Sequence, residues 1–190
     1  MPIEIYGDRY QFLDRTDILS FEEIIRLVQL FVSLGVSKVR LTGGEPLVRQ
    51  GIEHLIAMLS ENSGIKDLSL TTNGYLLAAK AQKLKDSGLR RITVSLDSLD
   101  DQTFKRMSGS SYNIDKVLAG IEKADAVGFR PIKINAVVQK GVNEHTIVQL
   151  AHHFKGTGHI LRFIEYMDVG TLNGWKLDQV VTGTQIARLI

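Results

Sequence analysis

Hydrophobic and polar positions along the chain fall into one unit that recurs five times. A helix-period stretch ends at a glycine, and a short strand-period run follows within two or three residues. The units end in residues 34–42, 63–71, 87–95, 127–135 and 157–165, and their glycines, Gly35, Gly64, Gly88, Gly128 and Gly158, lie 24 to 40 residues apart. Each glycine is placed to end a helix in the left-handed conformation. The first helix opens on a capping box, Ser20 followed by Glu23, ahead of Ile24, Leu27, Val28, Leu30 and Phe31 at helical spacing. The next helices are expected around 54–59, 76–87, 114–126 and 144–155. Residues 1–19 read as an irregular lead-in, and 170–190 as a loop and the start of another helix. A repeated helix–glycine–strand unit predicts an α/β protein with a parallel sheet, in one domain over 1–190.

The strand runs alternate, whereas parallel strands covered on both faces read as continuous apolar runs. One set holds Val39, Leu41, Leu68, Leu70, Ile92, Val94, Ile132, Ile134, Leu161 and Phe163. The other holds Arg40, Thr42, Ser69, Thr71, Thr93, Ser95, Asp97, Lys133, Asn135 and Arg162. Right-handed crossovers put the helices on one side and curl the sheet towards a barrel, so the polar set faces a lumen. A closed eight-unit barrel takes about 250 residues. Five units predict a partial, laterally open (β/α) barrel. A polar lumen is costly unless something pairs with it. Arg40, Lys133 and Arg162 together point to an anionic ligand such as a phosphate ester.

Composition narrows the class. The 190 residues carry a formal charge of +2, 44% hydrophobic and 23% charged positions, and no cysteine. That balance argues against a nucleic-acid coat or a membrane-surface protein. No apolar run is long enough to cross a membrane and no signal peptide is visible, so a cytoplasmic protein is expected. The chain has no cysteine for a disulfide framework or a cysteine-ligated cluster. His152 and His153 are adjacent and point different ways on a helix, so no metal site is expected from them.

Small and polar residues gather after every strand, where ligands bind in such folds. The first loop is Thr42-Gly43-Gly44-Glu45-Pro46. Its two glycines let backbone approach a ligand, and Glu45 can accept hydrogen bonds from an ammonium group. The others hold Thr71-Thr72-Asn73-Gly74, Ser95-Leu96-Asp97-Ser98, Gln139-Lys140-Gly141-Val142-Asn143 and Glu165-Tyr166-Met167-Asp168. No nucleophile elbow, phosphate loop or dinucleotide fingerprint occurs.

These segments carry a resemblance. Residues 38–49, with Gly-Gly-Glu-Pro at their centre, resemble a motif of radical S-adenosylmethionine (SAM) enzymes. Residues 70–74, 88–97 and 162–170, with Asn173-Gly174-Trp175, are similar to the molybdenum cofactor biosynthesis protein A family, the GTP 3′,8-cyclases. The resemblance runs from Met1 to about Thr184. It implies that Gly44, Glu45, Ser95 and Met167 contact SAM, and that Arg40, Thr71 and Lys133 contact GTP. It names no general acid or base. In the family, a reduced iron–sulfur cluster cleaves SAM to a 5′-deoxyadenosyl radical, which abstracts hydrogen from the GTP ribose. The product passes to a downstream cyclic pyranopterin synthase, and a homodimer is left open.

One departure is large. The family's cluster cysteines, one set directly before a Met-Pro pair and one in a C-terminal region, have no counterpart between Met1-Pro2 and Ile190. The resemblance therefore implies a fragment, the barrel body without either 4Fe-4S motif, inactive by itself. A cluster-free barrel binding a phosphorylated ligand, or another radical SAM enzyme, are the alternatives.

Overall fold

The computed structural model describes residues 17–167 and 175–190. Five strands, β1 (Lys38–Leu41), β2 (Asp67–Thr72), β3 (Arg91–Ser95), β4 (Lys133–Val138) and β5 (Ile160–Glu165), form one sheet in chain order, every neighbour parallel. The sheet is open, with β1 and β5 at its edges. Helices α1 (Phe21–Ser33), α2 (Ile52–Ser60), α3 (Leu77–Asp86), α4 (Asp101–Ser108), α5 (Asp115–Ala126), α6 (Ile147–Phe154) and α7 (Gly183–Leu189) complete the described order. This is the partial α/β barrel that the repeat predicts.

The apolar strand set lies under the helices. Leu68, Leu70, Ile92, Val94, Ile132 and Ile134 are buried, joined by Leu55, Leu59, Leu84 and Val117. At the edges Val39, Leu41, Leu161 and Phe163 are only partly buried. A second small cluster, Val138, Ile147, Val181 and Ile186, seats α7 beside the end of β4. Ser20 caps α1 in the expected box, its hydroxyl accepting from Glu23 N and Glu23 accepting from Ser20 N. Thr182 and Gln185 make the same box for α7.

Three local expectations are corrected. Gly35, Gly88, Gly128 and Gly158 have positive φ, but Gly64 does not. It is small for a packing reason, because a Cβ there would overlap Val32 Cγ1 of α1. Helix α4 was not anticipated, since Phe104 is its one large buried apolar residue; its start is written in Asp100, whose carboxylate accepts from Thr103 N. The fifth expected helix begins later, because residues 144–146 form a tight 3-10 turn ahead of α6.

One contact sets the loop after β2. Helix α5 crosses the entry to α3 at Gly120, where a Cβ would lie 2.7 Å from Gly74 O and 3.0 Å from Leu77 Cβ. Gly74 itself has φ of +80° and faces Val117. Gly120→Val is expected to destabilise the fold by about 1–3 kcal/mol, the usual cost of overpacking. The small gain in helix propensity does not offset it. Urea denaturation measures this, and an unchanged midpoint would contradict the close approach.

Candidate functional site

Parallel register carries one strand's facing to the next. Arg40 pairs with Ser69; Thr71 with Thr93, and Thr93 with Lys133; Ser95 with Asn135, and Asn135 with Arg162. The polar set therefore does share the face opposite the helices. Ser69 and Thr93 are buried at its centre, whereas Arg40, Ser95 and Arg162 are exposed and Thr71, Lys133 and Asn135 half-buried. Among the described residues, Arg40, Lys133 and Arg162 make no ion pair or hydrogen bond through their side chains.

The same face holds a carboxylate that was not placed there from sequence. Asp67 is grasped by Arg91 through both carboxylate oxygens, and this pairing, with Lys38 and Lys133 near by, holds its carboxyl below the usual range. Arg91 is thus neutralised within the chain, whereas Arg40, level with it through Ser69, has no ion pair among the described residues.

The rim is built from side chains that bind backbone. Glu45 caps the turn Pro46–Val48, its Oε1 accepting from Leu47 N at 3.0 Å and from Thr72 Oγ1 at 2.7 Å. Its Oε2 accepts from Asn73 N at 2.7 Å. A carboxylate has about four acceptor positions, so most of Glu45 serves to tie the first loop to the second. Beside it the glycines stand clear, for a Cβ on Gly43 or Gly44 meets nothing within 4 Å. Gly43 has φ of +147° and needs to be glycine; Gly44 has no positive φ, so its smallness answers to no contact inside the chain. Met167 is 52% exposed at the end of β5. Asp168, Asn173 and Gly174 lie outside the described residues.

Two groups were missed as site residues. Asn135 Oδ1 is shut off from solvent and accepts no hydrogen bond. A buried acceptor without a donor is rare and costly. The alternation placed Asn135 on the polar face, but only the folded surroundings show that it is orphaned. Asn143 is 1% exposed and ties the segment just after β3 to the end of β4; no local pattern announces that contact. Asp97 accepts from Val137 N at 2.8 Å, and burial pushes its carboxyl up to about 6 despite that bond.

Two clefts lie elsewhere, on the helix side near β5. One of about 400 Å³ is lined by Val148, Phe154, Leu161, Phe163 and Ile190. The other, about 520 Å³, is lined by Glu122, Asp125, His153 and His159. Neither includes a residue of the polar face. No group of three His, Asp or Glu side chains among the described residues could hold a metal ion. With no cysteine in the sequence, the residues present do not fit a 4Fe-4S cluster. The open space over Gly44 and the orphaned Asn135 do fit a polar organic ligand such as SAM.

Comparison with known proteins agrees with this architecture. The Radical SAM superfamily pattern matches residues 6–154. The chain belongs to the radical SAM superfamily. It is 55% identical over 186 residues to a GTP 3′,8-cyclase of Xanthomonas axonopodis pv. citri, a match covering 98% of this chain and 55% of that protein. It is 45% identical over 190 residues to the GTP 3′,8-cyclase of Staphylococcus saprophyticus, covering 100% of this chain and 56% of that one. The chain therefore spans about half the length of the curated relatives it matches. Among solved structures, Streptococcus suis SuiB bound to S-adenosylmethionine superposes with a TM-score of 0.72 at 22% identity, over 87% of this chain and 38% of SuiB. The maturase HydG superposes at 0.69 with 16% identity, over 97% of this chain and 43% of HydG. Both show the fold of this radical SAM chain.

Asp97 gives the site a pH signature. The folded chain keeps its proton up to about pH 6, and the unfolded chain releases it near pH 4. Between those values the folded state binds more protons, so stability falls as pH rises through that window. Asp97→Asn keeps a carbonyl acceptor for Val137 N and cannot titrate. Its stability relative to the unsubstituted chain should rise by on the order of 1–3 kcal/mol from pH 4 to pH 7, read from urea denaturation at each pH. A difference that does not vary with pH would count against a desolvated Asp97.

Proposed function

We propose that this chain is the barrel body of a GTP 3′,8-cyclase, a cytoplasmic lyase of molybdenum cofactor biosynthesis that uses SAM and GTP. Its product would pass to a downstream cyclic pyranopterin synthase. The observation that carries the reading is the polar face itself. Three cations with no ion pair or hydrogen bond among the described residues, an orphaned acceptor and two unobstructed glycines converge on one side of a parallel sheet. The kinship with cyclases at 45–55% identity supports the choice of substrate.

Each residue has a task in this reading. Arg40 and Lys133 take the triphosphate oxygens of GTP, and Thr71 adds a hydroxyl between them. Gly44 lets backbone approach the methionine end of SAM. Ser95 and Asn135, neighbours across β3 and β4, take hydroxyl or amino donors of the adenosyl half. Met167 covers the adenine at the end of β5. Glu45, with one acceptor position left, holds the SAM ammonium while it fastens the two loops. SAM supplies the 5′-deoxyadenosyl group of the family's chemistry. The chain's residues orient that group against the nucleotide and keep water from it.

Two substitutions separate the ligands. Arg40→Ala or Lys133→Ala should weaken GTP binding about 10- to 150-fold, from the roughly 1.5–3 kcal/mol of a hydrogen bond to a charged group. SAM binding should change less than threefold. Isothermal titration of the chain with each ligand measures both, and equal losses would overturn the assignment.

Gly44→Val tests the other end. It inserts a branched side chain into space that the chain leaves empty, so the fold should persist with an unchanged denaturation midpoint while SAM affinity drops. Retained SAM binding in a folded variant would show that the ligand does not come near this loop.

A further inference from the structure

The β3–β4 ladder stops where the site begins. Its last paired residues are Ser95 and Asn135, followed by one bond from Leu96 N to Asn135 O. Beyond that point two strand ends could drift apart, because parallel strands in this sheet are joined only through long crossovers. What holds them is a knot of side chains. Asn143 Nδ2 donates to Asp97 O and to Val137 O, each at 2.8 Å, and its Oδ1 accepts from Gln139 N at 2.8 Å. Asp97 Oδ1 accepts from Val137 N at 2.8 Å in the opposite direction. Asn143 is 1% exposed, so all three of its bonds are made away from competing water, where they are strong and costly to lose.

We propose that Asn143, with Asp97, is a positioning residue that sets the gap between the ends of β3 and β4, and thereby aligns Ser95 with Asn135 for one adenosyl ligand. The inference rests on the SAM reading of the polar face above. The geometry is selective. Asp97 lies two residues after Ser95 and Val137 two after Asn135, so each clamp acts one pleat beyond a proposed ligand-binding side chain. Arg40 and Thr71 stand on β1 and β2, which no bond of the knot reaches, and Lys133, although on β4, is its first residue, held by its own pairing with Thr93 four residues before Val137. A clamp confined to β3 and β4 should thus be felt by SAM and hardly by the phosphates of GTP.

The test compares the unsubstituted chain with Asn143→Ala, Asp97→Ala and Asp97→Asn, the last keeping an acceptor for Val137 N. Backbone amide spectra of the ligand-free chains come first. Asn143→Ala and Asp97→Ala should shift the signals of Ser95, Leu96 and Asn135 and leave those of Arg40 and Ser69 in place. Asp97→Asn should restore the positions seen without substitution. Titration follows: SAM affinity should fall tenfold or more in both alanine variants, towards the roughly hundredfold that misplacing a group by about 1 Å can cost. GTP affinity should change less than threefold, and Asp97→Asn should rescue SAM binding. Unmoved Ser95 and Asn135 signals, or equal losses for both ligands, would overturn the proposal. If Asn143→Ala does not fold, the Asp97 pair decides by the same criteria. If the unsubstituted chain binds no SAM, the SAM reading fails by itself, and the spectra alone support or overturn the alignment of Ser95 with Asn135.

Discussion

Parallel register is the constraint on which the rest depends. Side chains alternate along a strand, and parallel pairing passes that alternation to the neighbour without a flip. Because Leu68, Leu70, Ile92, Val94 and Ile134 must be buried under the helices, Arg40, Thr71, Ser95, Lys133 and Asn135 have to face the other way. A slip of one residue in any strand would send its apolar set into the polar face. The core and the site are therefore fixed by the same pairing.

Charge within that face divides into a paired and an unpaired set. At the start of the strands Asp67 and Arg91 satisfy one another. Arg40, level with Arg91 through Ser69, Lys133, the first residue of β4, and Arg162 have no such partner among the described residues. Carboxylates do stand at the rim, but they are bound to backbone: Glu45 to Leu47 and Asn73, Asp97 to Val137, and Glu165 to Gly183 at the start of α7. They shape loops and do not cancel the cations. Such an arrangement is costly to the free protein and suits a ligand that brings negative charge and hydrogen-bond donors together.

Much of this was legible in the sequence because it depends on period and on local chemistry. The alternation at 39–42, 68–71, 92–95 and 132–135 gave away both faces. Ser20 with Glu23 marked a helix start, and Gly-Gly-Glu-Pro marked the first loop. What could not be read comes from contacts across the fold. Gly64 looks like the other four glycines until Val32 of a distant helix is seen against it. Helix α4 lacks an apolar stripe, so its existence rests on a cap. Glu45 looked free for a ligand, and the loop after β2 turned out to use most of it. Asn143 sits in an ordinary polar turn, and its importance appears only when β3 arrives beside it.

The most direct measurement maps where nucleotide binds. Backbone amide signals of the chain, followed during titration with GTP, should move near the ends of β1 and β2 and at the start of β4, around Arg40, Thr71 and Lys133. Signals lining the helix-side clefts, at Val148, His153, Phe154 and Phe163, should stay in place. Shifts confined to those clefts, with Arg40 and Lys133 undisturbed, would contradict the account of the polar face as the ligand site.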